Sequence, residues 1–350
     1  MAAQRYSTLD GFRGVAAMAI VLLHLERPGF QAPAGAHTAV DLFFLMSGFV
    51  IAAAYEDRIR TNGTWGFLRA RMIRLYPMFL LGLVILPLYF LALFAANRTW
   101  LVEPTGILSS LGASLLFLPS RLSSDLWPQQ ALFPLNTPAW SLMLEVVVNL
   151  AYGLFLPWLS RRALVFIVLV CGLLLIAGNF HMGGLDLGWG WPTLWWGFPR
   201  AGFSFFLGVL IYRTRIPRPN IPQILLLAAV QLLLYSPPLL AVLAGFPVLL
   251  ILATRPGGRT SRIMTALGAL SYPLYVIHYP LMHWTGWLYK AVHLPERWFV
   301  PASVALVLVG AFLALRLWDE PVRRYLSRLA AKAQKPRQGI VSSNAPAGKE

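Results

Sequence analysis

Charge is scarce in this chain, and acidic charge is scarcer still. Asp, Glu, Lys and Arg make up only 12% of the 350 residues, against about 25% in a soluble domain. That shortage excludes an ordinary water-facing surface. The 13 acids are outnumbered by 29 Lys and Arg, which leaves a formal net charge of +16. A single cysteine, Cys171 in VFIVLVCGLLLIAG, excludes an intrachain disulfide and a multi-cysteine metal site, and reads as a packing residue. The opening MAAQRYSTLDGF lacks the basic, apolar and cleavage regions of a signal peptide, so the first apolar run is expected to stay in the mature protein. No GxxxxGK[ST] phosphate loop, internal repeat or second soluble domain is visible.

What the chain has instead is apolar length. Hydrophobic residues reach 58% and the mean hydropathy is +0.64. Runs such as LYPMFLLGLVILPLYFLALFAA (75–96) and FVPASVALVLVGAFLALRL (299–317) match the roughly 20 residues that cross a bilayer. The pattern predicts an all-α polytopic membrane protein. Eleven apolar segments can be drawn, near 11–26, 39–55, 75–96, 106–118, 139–159, 162–179, 194–212, 221–235, 238–253, 266–289 and 298–317. The fourth, GILSSLGASLLFL, is short and rich in Gly and Ser. Without it, ten helices remain and both termini lie on one side. With those termini cytoplasmic, 23 of the 29 Lys and Arg fall inside, five fall outside, and Arg200 lies within a span. Counting the fourth segment as a span reverses the bias, so the positive-inside rule selects ten spans with both termini cytoplasmic. The same rule makes the excess positive charge a mark of cytoplasmic loops, so the expected partner is the lipid bilayer and not nucleic acid. A membrane domain over 1–325 and a basic, disordered cytoplasmic tail over 326–350 are expected.

Ionisable groups within spans are costly and mark function by default. Here they are His24, Asp41, Glu145, Arg200, His278 and His283; Asp41 and His283, near outer ends, equally suit an interfacial or packing role. Arg13 and His24 are eleven residues apart, about three turns plus 20°. They therefore share one face of the first helix, about 16 Å apart along it, and Asp10 is placed to orient Arg13.

Three arginines in RARMIRLYP (69–77), Arg69, Arg71 and Arg74, follow simple topology but also suit a multi-phosphate ligand, because guanidinium grips phosphate in a planar fork. With no nucleotide loop present, coenzyme A fits better than ATP. In NTPAWSLMLEVVVNLAYGL (136–154), Trp140 is expected at the outer interface and Glu145 roughly 7–8 Å deeper. SYPLYVIHYPL (271–281) puts His278 about 10 Å above Ser271, with Pro273 and Pro280 able to kink the helix.

With these residues placed, the chain resembles the acyltransferase-3 family of integral membrane acyltransferases from about residue 6 to about 325. LDGFRGVAAMAIVLLHL (9–25) is similar to the family's opening, its Arg-x10-His pattern falling on Arg13 and His24. VDLFFLMSGFVI (40–51) resembles the FF-x-x-SGF segment, through Phe43, Phe44, Ser47, Gly48 and Phe49. RMIRLYP (71–77), WSLMLE (140–145), FPRAGFSFFLG (198–208), SYPLYVIH (271–278) and DEP (319–321) match further elements in order. Ala39 and the VVVN after Glu145 depart from the usual pattern. No fused esterase-like domain is expected within these residues.

The resemblance implies transfer of an acyl group, acetyl by default, from cytoplasmic acyl-CoA to a hydroxyl of a carbohydrate or glycosylated acceptor at the membrane or its outer face. It makes acyl-CoA a substrate and implies no permanently bound cofactor and no metal. Arg13, Arg69, Arg71 and Arg74, with Ser271, would hold the donor, whose pantetheine arm would carry the thioester toward His24. His24 would act as general base, or alternatively as an acyl-histidine nucleophile. Glu145 would hold the imidazole or bind the sugar. Trp140, Ser141 and Arg200 would contact the acceptor, Trp140 offering a stacking face. Asp10, Asp41, Ser47, Tyr272 and His278 would support the site; Ser47 and Ser271 read as helix-packing serines more than nucleophiles. A bacterial source would place the protein in the inner membrane. The rival class is a transporter using intramembrane His, Glu and Arg, although the matched halves common in transporters are absent.

Overall fold

A computed structural model describes residues 6–97, 102–122, 130–214, 221–254, 261–293 and 295–334. They form helices joined by short 3-10 turns and loops, with two isolated bridges (Arg27 with Phe30, Ala131 with Gly190) and no strand among the described residues. In order the helices are α1 (Ser7–Leu23), α2 (Ala39–Asn62), α3 (Thr64–Asn97), α4 (Pro104–Leu115), α5 (Ala139–Phe155), α6 (Arg161–Met182) and α7 (Leu194–Thr214). They continue as α8 (Gln223–Leu233), α9 (Pro238–Leu240), α10 (Phe246–Ala253), α11 (Arg262–Ala291), α12 (Phe299–Ala314) and α13 (Glu320–Gln334). π-helical turns join α9 to α10 and α12 to α13.

Among the described residues, six helices are long and apolar enough to cross a membrane: Ala36–Thr61, Thr64–Ala96, Ala139–Trp158, Arg161–Met182, Trp191–Thr214 and Glu296–Lys332. The protein is therefore an all-helical integral membrane protein. The 12 residues of α4 rise only about 18 Å, short of a hydrocarbon core of about 30 Å. α6 and α12 turn Phe166, Leu169, Leu173, Val309 and Phe312 outward, an apolar exterior suited to lipid. One boundary shifts. Helix α13 runs through Gln334, so 326–334 is ordered helix and not tail. The repeating charged, Leu and Ala positions of VRRYLSRLAAKAQ favour helix over the disorder read from its charge. Residues 335–350 lie outside the described residues.

Two helix pairs fix the site's frame. α1 lies along α11, and α2 lies along α7. In the second pair the backbones touch: a Cβ at Gly48 would strike the Phe205 carbonyl oxygen, and one at Gly208 would strike that of Leu45. Only glycine permits such an approach. Pro280 inside α11 has no N–H for the Val276 carbonyl one turn below. The Asn136 side-chain amide donates to that carbonyl at 2.9 Å, tying the loop before α5 to the proline-bearing turn.

Candidate active site

The basic end of α1 and α3 opens into a cavity of about 350 Å³ between α1, α2, α3, α5 and α11. Arg13, Arg71 and Arg74 line it, together with Ser47, Glu145 and Tyr272. Each cation is held by a neighbour. Asp10 lies 3.6 Å from Arg13. Glu145 forms a close ion pair with Arg71 and accepts from Ser47 Oγ at 3.0 Å. Arg74 sits 5.4 Å above the Tyr272 ring, and Tyr272 Oη donates to the Leu75 carbonyl at 2.5 Å. Ser271, almost fully buried, donates to the Gly268 carbonyl of its own helix at 2.8 Å.

Further along α11 the lining reaches Tyr275 and Ser141, whose hydroxyls are 2.6 Å apart over the Pro138 carbonyl. Beyond Tyr275 lies fully buried His278. Its Nδ1 is 2.7 Å from the Tyr275 carbonyl and 3.2 Å from that of Leu274. Since a carbonyl only accepts, this nitrogen carries the proton, which leaves Nε2 as the acceptor in the neutral ring. That Nε2 is 3.4 Å from His24 Nδ1, which is itself 2.9 Å from the Ile20 carbonyl. The same reasoning places the His24 proton on Nδ1, shared between Ile20 and His278. His24 Nε2 keeps a free lone pair, with no hydrogen bond among the described residues. His24 caps the C-terminus of α1 and lines a second cavity of about 370 Å³ with Glu26, Arg27, Tyr279, His283 and Phe299.

So α1 carries Arg13 to one cavity and His24 to another, with His278 between them. The two cavities share no lining residue.

A family model described as an acyltransferase domain (acyltransferase-3) matches residues 6–316, which include every residue of this arrangement. The chain belongs to the acyltransferase-3 family. It is a membrane-bound O-acyltransferase, which decides against the transport alternative. "Acyltransferase MdmB" of Streptomyces mycarofaciens is 26% identical, over 95% of this chain and 95% of its own length. "Protein 2 in picA locus" of Rhizobium radiobacter is 40% identical over 48% of this chain and 89% of its own. "Peptidoglycan O-acetyltransferase OatA" of Listeria monocytogenes is 23% identical over 98% of this chain, which spans only 60% of that protein's length. No solved structure matches.

Against this acyltransferase frame, several expected residues stand elsewhere than anticipated. Glu145 does not hold the His24 imidazole; it is committed to Arg71 and Ser47. Arg200 has no exposure, and its Nε, Nη1 and Nη2 are occupied by Asp41, the Leu187 carbonyl and the His37 carbonyl. It clamps α7 to α2 and has no room to meet an acceptor. Trp140 is buried at 6% exposure with the Arg200 guanidinium 5.4 Å from its ring centre, so that face is taken and the indole is packed among the helices. Arg69, two residues before Arg71, points off the first cavity into a neighbouring one against α13; two residues turn a helix by about 200°. Tyr275 was not anticipated as a site residue, although Ser271, Tyr275 and His278 recur at i, i+4 and i+7 on one face. The unengaged His24 nitrogen was not readable from sequence at all.

Proposed function

We propose that the protein transfers an acyl group, acetyl by default, from cytoplasmic acyl-CoA to a carbohydrate or glycosylated hydroxyl at the far side of the membrane. The observation that carries this reading is the pairing of an arginine-lined cavity with an imidazole whose Nε2 is free. Arg13, Arg71 and Arg74 bind donor phosphates, and Glu145 and Asp10 hold their arginines in place. The thioester travels the line of Tyr272, Tyr275 and Ser141, and Tyr275 turns aside to admit it to His24 while His278 stays in place. His24 Nε2 takes the acceptor hydroxyl proton while that oxygen attacks the thioester carbonyl. The C–S bond breaks, the C–O ester bond forms, and the proton passes to the departing thiolate. General base catalysis fits the free Nε2; no feature of the site favours an acyl-histidine. His278 is a positioning residue that holds the His24 tautomer.

The saccharide acceptor is supported by the name of the Listeria relative, and the cavity around His24, Tyr279 and His283 is where it would enter. Ten spans with cytoplasmic termini remain the topology that the charge distribution favours, in a bacterial cytoplasmic membrane as the organisms of the relatives indicate. The test is release of free coenzyme A from acetyl-CoA by purified protein in liposomes, with added saccharides. Wild type is expected to turn over and His24→Ala to fall by about 10²–10⁴-fold while still binding donor. Turnover in His24→Ala equal to wild type would remove His24 from the chemistry. Absence of acyl-CoA binding by wild type would remove the donor.

A further inference from the structure

Next to the first cavity is a larger one, about 900 Å³, between the start of α3 and helix α13. The two meet at Tyr55 and Arg74, which line both. Its wall carries five arginines, Arg69, Arg74, Arg323, Arg324 and Arg328, and one carboxylate, Glu320. Neutralisation is incomplete. Arg324 pairs with Glu320 at 2.6 Å, and Arg323 and Arg74 share buried Asp319 at 3.3 and 3.8 Å. Arg69 and Arg328 have no carboxylate partner among the described residues. Three positive charges are therefore left over, five arginines against Asp319 and Glu320.

The helix supplies the second observation. Glu320, Arg323, Arg324, Ser327, Arg328 and Ala331 line the cavity at i, i+3, i+4, i+7, i+8 and i+11, a single stripe facing α3. The other side shows Tyr325 at 62% and Leu329 at 45% exposure. A helix lying on anionic lipid would turn its basic face to the headgroups; this one turns that face onto an open groove against the start of α3. The volume falls in the range of small-molecule sites.

We infer that the α3–α13 cavity binds the phosphorylated adenosine diphosphate end of acyl-CoA, with the pantetheine arm turning past Tyr55 and Arg74 into the narrower cavity. This rests on the donor reading above and assigns to Arg323, Arg324 and Arg328 a role that no motif in the chain marks. Several guanidiniums around a cavity suit a ligand with a diphosphate and a further phosphate, each phosphate taking a forked pair of donors.

The experiment compares acetyl-CoA, 3′-dephospho-acetyl-CoA and acetyl-pantetheine as donors for full-length protein in phosphatidylcholine nanodiscs. Wild type, Arg323→Gln/Arg328→Gln and Arg328→Glu alone are tested, with folding followed by size exclusion and thermal shift. Wild type is expected to show a KM for acetyl-pantetheine far above that for acetyl-CoA. In the variants the KM for acetyl-CoA rises by about tenfold or more, and the difference between the two donors shrinks. Arg328 is exposed and has no carboxylate partner among the described residues, so its charge reversal tests the site even if the double variant fails to fold. If wild type uses acetyl-CoA and folded variants keep its KM, the α13 site is wrong and the donor reading survives. If wild type binds no acyl-CoA, both fall together. If the arginine effect appears only when phosphatidylglycerol is added, the cavity serves lipid headgroups and the inference is overturned.

Discussion

His278 Nε2 faces His24 Nδ1 at 3.4 Å, and the two rings meet edge to face with centroids 4.9 Å apart. A neutral His278 with its proton on Nδ1 can accept from His24 only if His24 also carries its proton on Nδ1. Replacing His278 with Leu removes that acceptor and allows the His24 ring to turn or switch tautomer. The expected result is a fall in kcat of about tenfold or more, below the full general-base effect, with the KM for acetyl-CoA within about twofold of wild type. His278→Gln, which keeps an acceptor oxygen, is expected to recover part of the loss. A His278→Leu enzyme with normal kcat would show that His24 needs no such partner.

Arg71 and Glu145 form a half-buried pair, at 15% and 19% side-chain exposure, with Ser47 as a third member. Glu145→Gln is expected to weaken coenzyme A binding although Glu145 itself would repel phosphate, because Arg71 loses its anchor. A double-mutant cycle of Glu145→Gln and Arg71→Gln, read by titration calorimetry with coenzyme A, should give a coupling of about 0.5–3 kcal/mol. Strict additivity would mean that the pair does not act as a unit.

The contact between α2 and α7 leaves no space for a methyl group. Gly48→Ala and Gly208→Ala are each expected to lower stability by about 1–3 kcal/mol, the usual range for an overpacked core, seen as a lower thermal midpoint in detergent. Gly112→Ala in α4 serves as the comparison, because a Cβ there meets nothing within 4 Å. Equal midpoints for all three variants would mean that the α2–α7 interface yields readily.

Asp41 and Arg200 are both essentially fully buried and joined through two guanidinium nitrogens. Asp41→Ala leaves the arginine uncompensated, and a loss of about 3–5 kcal/mol is expected. Thermal unfolding of the purified variant measures it directly. A variant as stable as wild type would show that the Leu187 and His37 carbonyls suffice to hold the cation.

The sequence made helices easy to recognise and their partners hard to see. Apolar length marked most of the helical segments, and the eleven-residue interval from Arg13 to His24 set both on one face of α1. Which residues meet across helices was a different matter. Glu145 could be assigned to the imidazole or the acceptor because a carboxylate inside a span needs some partner, and nothing local names Arg71, 74 residues earlier. Arg200 looked available for the same reason, since its three partners come from residues 37, 41 and 187. The basic residues from 326 onward read as a disordered tail because periodicity on a short polar helix is weak evidence. Only the folded chain turns those arginines toward α3.

The two cavities share no lining residue, and Tyr275, which lines the first, is followed one turn along α11 by His278, which reaches His24 beside the second. A membrane pierced by a continuous aqueous pore would leak protons and dissipate the gradient across it. Under the proposed donor, moving a bulky thioester through such a protein would call for something like an airlock: one side must close behind the cargo before the other opens. In this chain the inner door would be the Tyr275 side chain, whose hydroxyl is shared with Ser141 and the Pro138 carbonyl.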